Sequence, residues 1–280
     1  MTLSQSEHAL LEAETNRLKA EGSPFAMATV VRTVDATSAK PGGKALLDSE
    51  GKILAGWVGG GCARGAVGRA AREAIASGEP QFISLRPQEL LDTEGLTPGE
   101  TRDGVRFARN GCPSKGTMDI FVEPVLPLPE LVICGAGLVA RALAELAGQF
   151  DYKVILHASN ATGLEQGVHE GFDFDTSDYV VVATQGQGDK QALSAAVSKP
   201  RAYISFVGST RKFATLSKKL MLEDPTLGPA LRTVKAPAGL DINAITPTEI
   251  AMSILAEITQ IRRAGRLAQS EGSVPMALGL

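Results

Sequence analysis

The apolar run Leu131-Val132-Ile133-Cys134 meets the glycine turn Gly135-Ala136-Gly137 and then a helix-forming stretch over 138–148. That order predicts the strand–turn–helix that opens a mononucleotide-binding α/β domain. Gly135 would make the tight turn, Gly137 would let a phosphate approach the backbone, and Ala140 would permit close helix–strand packing. Downstream, 153–157 reads as a second strand, and Asp178-Tyr179-Val180-Val181-Val182-Ala183 is the continuous apolar strand expected in a parallel sheet covered on both faces. A helix over 190–197, a strand over 202–207 and a basic amphipathic helix over 210–222 follow, while 159–177 reads as wandering chain. Farther on, Thr246, Pro247 and Glu249 form a capping-box start, and Ile250, Ile254, Ile258 and Ile261 make a buried helical stripe. The tail from Arg266 is expected to fray or to dock elsewhere.

Before residue 131 the pattern differs. An amphipathic helix is expected over 5–21, a strand over 25–34, and a hairpin from 45–48 and 53–56 around Ser49-Glu50-Gly51-Lys52. A helix over 63–77, a strand over 81–85 and a strand over 117–124 complete this half. Residues 86–110 read as a polar, irregular surface excursion. Pro127-Leu128-Pro129 is a stiff linker, so two domains are expected, 1–128 and 129–280. The fold class is α/β: a mixed α/β N-terminal domain followed by a Rossmann-like domain with a mainly parallel sheet.

The 280 residues, 44% of them hydrophobic, suffice for two cores. A net charge of -3 gives no reason to expect a nucleic-acid partner. No run approaches the length of a membrane span, and the first residues lack a signal-peptide pattern, so a cytoplasmic protein is expected. The cysteines Cys62, Cys112 and Cys134 do not make a disulfide framework, and three histidines without a C-x-x-C argue against zinc. Cys134 ends an apolar strand and should be inert packing.

Candidate chemistry gathers at two loops. Gly59-Gly60-Gly61-Cys62 lies between a strand and a helix start, where outward amides and the helix dipole suit a phosphate or an ionised sulfur. Gly111-Cys112-Pro113-Ser114-Lys115-Gly116 is a second loop with a thiol, a hydroxyl and a cation. If the loops meet, Cys62 and Cys112 are a pair of soft metal ligands or sulfur carriers. The alternative for each is an ordinary turn holding an incidental cysteine.

These residues resemble the XdhC/CoxI family of molybdenum-enzyme accessory proteins. The likeness rests on Gly56-Trp57-Val58-Gly59-Gly60-Gly61-Cys62, on the run from Cys112-Pro113-Ser114-Lys115-Gly116 to Pro124, and on Val132-Ile133-Cys134-Gly135-Ala136-Gly137. It is sharpest at Ala236-Pro237-Ala238-Gly239-Leu240-Asp241-Ile242 and from Thr246-Pro247-Thr248-Glu249 to Ile258. The cysteine–proline–serine loop is similar to the CoxI or CoxF branch tied to carbon monoxide dehydrogenase. The resemblance implies a maturation factor or chaperone rather than a classical enzyme. It would handle a molybdopterin-type molybdenum cofactor, including its cytosine dinucleotide form. The implied partners are a molybdenum hydroxylase client such as carbon monoxide or xanthine dehydrogenase and a sulfur donor protein, and a homo-oligomer is expected. Cys62 and Cys112 would meet the metal or its sulfur, and Gly59, Gly60, Gly61, Gly135 and Gly137 would hold phosphate.

Leu138 stands where the family's G-A-G-H form has histidine, so that side chain's role is lost while the position stays a cofactor-site candidate. The second strand ends His157-Ala158-Ser159-Asn160, without the carboxylate that holds NAD ribose hydroxyls. An adenine nucleotide or the nucleotide half of the cytosine dinucleotide could still bind there, with His157 as a hydrogen-bonding candidate. Gln185 and Ser209, each in a loop after a strand, are further candidates for the pocket wall. Two other functions compete: an NAD(P)-dependent oxidoreductase and a nucleotide-sensing interaction module.

Overall fold

A computed structural model describes residues 5–112, 115–159, 167–174 and 177–271, with side chains described as far as residue 264. The chain divides into two compact units, one running to Pro127 and the other covering Leu128–Ala268. Among the described residues no helix is long and apolar enough to cross a membrane.

The N-terminal unit holds α1 (Gln5–Glu21), β1 (Phe25–Val34), β2 (Lys44–Leu47), β3 (Ile53–Gly56), α2 (Gly61–Ser77), β4 (Gln81–Arg86), α3 (Gln88–Thr93), β5 (Thr101–Arg102), β6 (Val105–Arg109) and β7 (Thr117–Val125). Its strands form one sheet in the order β3-β2-β1-β7-β4-β6-β5. Period-two alternation puts Ala26, Ala28 and Val30 of β1 and Met118, Ile120 and Val122 of β7 on one face. There they pack on the small-residue stripe Ala63, Ala66, Val67, Ala70 and Ala74 of α2, whose short side chains let the helix lie close. On α1, Leu11 and Leu18 bury against Phe25 and Leu46.

The stretch 86–110 departs from the irregular excursion expected of it. It contains α3, β5 and β6, and β6 pairs in parallel with β4. The physical reason is a small satellite core of Leu91, Leu96 and Phe107, with the Arg86 guanidinium 4.7 Å over the Phe107 ring. Three apolar residues spread over seventeen positions carry no periodic signal, although together they bury enough to order the segment.

The C-terminal unit holds β8 (Glu130–Cys134), α4 (Leu138–Ala147), β9 (Lys153–Ala158), β10 (Val168–Glu170), β11 (Tyr179–Val182), α5 (Asp189–Val197), β12 (Tyr203–Phe206), α6 (Thr210–Glu223), a 3-10 turn (Pro225–Leu227), α7 (Gly228–Leu231) and α8 (Pro247–Glu271). The sheet is parallel throughout, in the order β10-β9-β8-β11-β12. β10 corrects part of the wandering stretch; 160–166 and 175–176 lie outside the described residues. Leu131, Ile133, Tyr179 and Val181 face α4 and α8, and Val132, Cys134, Val180 and Val182 face α5 and α6. Burial on both faces is why these strands are uniformly apolar. Burial also pushes the Cys134 thiol pKa up, in keeping with an inert core sulfur.

The capping box of α8 forms: Glu249 accepts from the Thr246 N–H at 2.8 Å, and Thr246 Oγ1 accepts from the Glu249 N–H at 3.3 Å. Ile254 and Ile258 are fully buried on the sheet, each worth about 1.5–3 kcal/mol of apolar burial. Helix α8 runs to Glu271, past the Arg266 tail boundary read from sequence, and 272–280 lie outside the described residues.

Candidate functional site

Gly60 caps α2 in an extended conformation and offers no side-chain acceptor to the first turn. The first intrahelical bond runs from Arg64 N to Gly60 O at 3.0 Å, so the amides ahead of it have no helical acceptor. Exposed Gly60, Gly61 and Cys62 therefore present donors and the positive end of a 17-residue helix to one surface.

The second loop comes to the same place. A pocket of about 260 Å3 is lined by Gly60, Gly61 and Cys62 from the first loop and by Asn110, Gly111 and Cys112 from the second. A β-carbon on Gly111 would lie 3.3 Å from the Cys62 sulfur, so the second loop closes tightly on that thiol. Cys62 and Cys112 are both exposed, and no disulfide joins them. Asn110 fixes the loop: its Nδ2 donates to Gly116 O at 2.6 Å, and its Oδ1 accepts from Cys112 N at 3.1 Å. Asn110 N in turn donates to Arg86 O at 2.7 Å, which seats it at the end of β4. Lys115 pairs with Glu89 at 2.5 Å, away from the pocket lining, while Pro113 and Ser114 lie outside the described residues. Gly59 is buried behind the rim.

Thr37, Ser38 and Met118 complete the wall, and the sequence pattern singles out none of them, nor Asn110. Thr37 and Ser38 sit in a loop without any motif, so only tertiary structure brings them in. Asn110 carries a weak signal, as the last residue before a Gly-Cys pair.

In the C-terminal unit, Gly135, Gly137 and Gln185 line a pocket of about 200 Å3 together with Ser159 and Thr184. Gly135 has φ 139°, and a β-carbon there would lie 2.2 Å from Ala183 O, so the turn is pressed onto the end of β11. Gly137 caps α4 without a side-chain acceptor, leaving first-turn amides at the pocket. Arg141 Nε donates to Ala136 O at 3.0 Å, holding a cation against the turn.

The floor below Gln185 is set by Asp189, which accepts from the Thr184 hydroxyl, from Gly186 N at 2.9 Å and from Lys212 Nζ at 2.5 Å. Burial pushes the Asp189 pKa up, but these three partners outweigh it and hold the carboxyl below its ordinary value.

Three candidates lie elsewhere. His157 is buried beside the pocket rather than in its wall: its Nδ1 is 3.0 Å from Gly171 O and its ring stacks 5.1 Å from His169. Burial lowers its pKa. Leu138, 68% exposed, begins α4 and is not part of the lining. Ser209 caps α6, accepting from Lys212 N at 3.2 Å, and lines a different pocket.

The fold and these pockets define a two-unit α/β protein: a Rossmann-type unit with a glycine-turn pocket, and a mixed α/β unit with a paired-thiol pocket. Residues 131–258 match the XdhC Rossmann domain, and residues 18–86 match the XdhC and CoxI family, together more than half of the chain. The chain belongs to the XdhC and CoxI family. It is 27% identical over 269 residues to the Uncharacterized protein YqeB of Escherichia coli (strain K12), covering 89% of this chain and 46% of that protein. It is 28% identical over 165 residues to a probable xanthine dehydrogenase subunit of Bacillus subtilis (strain 168), covering 52% of this chain and 47% of that protein. The chain thus spans about half the length of the curated relatives it matches. A crystal structure of a xanthine dehydrogenase from Bacillus halodurans aligns over 94% of this chain and 96% of its own, at 18% identity and a TM-score of 0.42.

Proposed function

We propose that this protein assists maturation of a molybdenum hydroxylase by handling the molybdenum cofactor as cargo. The observation that carries the reading is the meeting of Cys62 and Cys112 in one pocket at the N-terminus of α2. Two soft sulfurs suit molybdenum or copper, and the unpaired first-turn amides beside them suit a phosphate or a metal-bound oxyanion. The same pocket suits sulfur carriage, since both thiols are solvent-accessible.

The glycine turn of the C-terminal unit supplies the second element, a cradle for the phosphates of the cofactor or of its nucleotide. The residues present fit that group: helix-start amides at Gly137, a Gln185 amide side chain lying where a β-carbon of residue 137 would be, and the Arg141 cation. Ser159 at the end of β9 offers a hydroxyl where a nicotinamide dehydrogenase would hold ribose with a carboxylate, which weighs against hydride transfer. The name of the Bacillus subtilis relative supports a xanthine dehydrogenase type of client, and the Cys112-Pro113-Ser114 loop form supports a carbon monoxide dehydrogenase client; the client class common to both is a molybdenum hydroxylase.

The test is reconstitution of the client. An immature molybdenum hydroxylase, cofactor and this protein are incubated, and client turnover is followed. Cys62→Ala with Cys112→Ala should abolish the activation that the intact chain gives. Full activation by the double variant would end the thiol reading.

A further inference from the structure

The C-terminal unit carries another pocket, of about 570 Å3, separate from the glycine turn. It opens where β12 ends at Gly208 and Ser209, and segment 237–244 closes its far side. That segment is held by backbone. Phe206 N donates to Lys235 O and Lys235 N to Ile204 O, each at 2.9 Å, and Ala238 N donates to Phe206 O at 3.1 Å. The chain thereby adds a partial sixth strand beside β12 before it turns.

At the turn, Gly239 has φ 91°, and a β-carbon there would lie 2.3 Å from Ser253 Oγ on α8. Its N–H donates at 3.0 Å to the Glu257 carboxylate, which also accepts from the Tyr203 hydroxyl at 2.5 Å. The wall is therefore fixed from behind, and the side chains facing the pocket are left for other work. Ala238, Leu240 and Ile250 are partly buried apolar surfaces there. Asp241 and Asn243 stand exposed at the rim, and among the described residues neither side chain has a hydrogen bond or an ion pair.

An apolar slot edged by a carboxylate and a carboxamide suits a flat heterocycle carrying N–H donors beside an acceptor. The carboxylate can only accept, while the carboxamide both donates and accepts. Pterins and cytosine share that edge. Position agrees with chemistry. Val182 pairs with both Cys134 and Phe206, so β8, β11 and β12 end level with one another. Two strand spacings of about 4.8 Å put the pocket about 10 Å along the sheet edge from the glycine turn. A pyrophosphate and a sugar cover that interval.

We propose that this pocket seats an aminopyrimidine-edged ring, pterin or cytosine. That ring is one half of a pyrophosphate-linked dinucleotide whose phosphates lie on Gly135–Gly137, and Asp241 and Asn243 read its edge. The proposal rests on the nucleotide reading of the glycine turn.

The test is calorimetric titration of the full chain, wild type, Asp241→Ala and Asn243→Ala, with cytidine diphosphate, free pterin and inorganic pyrophosphate, which carries no ring. One of the two aminopyrimidine rings is expected to bind. Asp241→Ala should weaken that ligand about tenfold or more, the loss of a charged hydrogen bond. Pyrophosphate on the glycine turn should change by less than about twofold, as expected for a distant site. Cytidine diphosphate as the responsive ligand would assign the pocket to the nucleoside half, and pterin to the pterin half. If both variants bind the rings as the wild type does, or neither ring binds while pyrophosphate does, the ring-seat proposal is overturned and the glycine-turn reading stands. If nothing binds, both fall.

Discussion

Asn110 holds Cys112 in place: its side-chain oxygen accepts the Cys112 N–H at 3.1 Å while its amide nitrogen ties the other end of the loop at Gly116 O. The second thiol of the pocket is thus set by an amide side chain on the strand extension, and Cys62 is set by a helix start. Asn110→Ala removes two hydrogen bonds of about 1 kcal/mol each. The expected outcome is a faster reaction of Cys112 with a disulfide reagent in a Cys62→Ala background, with global stability lowered by no more than about 2 kcal/mol. An unchanged Cys112 rate would show that the loop holds its shape without Asn110.

The buried Glu257 carboxylate serves both Tyr203 and the Gly239 turn. Burial, with Glu257 accepting its proton in a hydrogen bond, pushes the Tyr203 hydroxyl pKa up, so it stays a donor. Glu257→Ala would take this acceptor from the buried Tyr203 hydroxyl and the half-buried Gly239 N–H, a loss of about 2–4 kcal/mol in chemical denaturation. Glu257→Gln keeps an acceptor and should lose distinctly less. Equal losses would mean that packing, rather than the shared acceptor, holds the turn.

Gly135→Ala places a side chain at φ 139° and against Ala183 O. Strained backbone alone costs about 1–3 kcal/mol, and the clash adds to it. A drop of at least that size in the unfolding free energy is expected, together with loss of nucleotide binding. A variant as stable as the wild type would mean that the turn relaxes and is not pressed onto β11.

Burial lowers the pKa of His157 below its ordinary value of 6.5, with a smaller opposing effect from the Gly171 carbonyl. The unfolded chain takes up a proton at that position as pH falls through 6.5, before the folded chain does. Its contribution to stability is therefore full above that pH and declines below it. A plot of unfolding free energy against pH should slope downward on the acid side of 6.5, and His157→Gln should flatten that part of the slope. The same slope in both proteins would remove His157 as the cause.

The fold was legible where burial is periodic. The stripe of Ile250, Ile254 and Ile258, the Thr246–Glu249 box and the apolar strands around Cys134 all form as the pattern indicates. Legibility failed where a few residues act over distance. Leu91, Leu96 and Phe107 order a stretch that looks irregular, and Thr37, Ser38 and Asn110 enter the thiol pocket only through tertiary contact. His157 shows the converse. In sequence a strand-end histidine is open to either a hydrogen bond with a nucleotide or a structural role, and here the β9–β10 pairing covers it and gives it the Gly171 carbonyl.

The most direct measurement is the molybdenum and pterin content of the protein purified after co-expression with the cofactor pathway, comparing wild type with the Cys62→Ala, Cys112→Ala double variant. The paired-thiol account predicts bound molybdenum and pterin in the wild type and at least about a tenfold loss in the double variant, the scale expected when metal ligands or their supports are removed. Equal molybdenum and pterin in both proteins would contradict it.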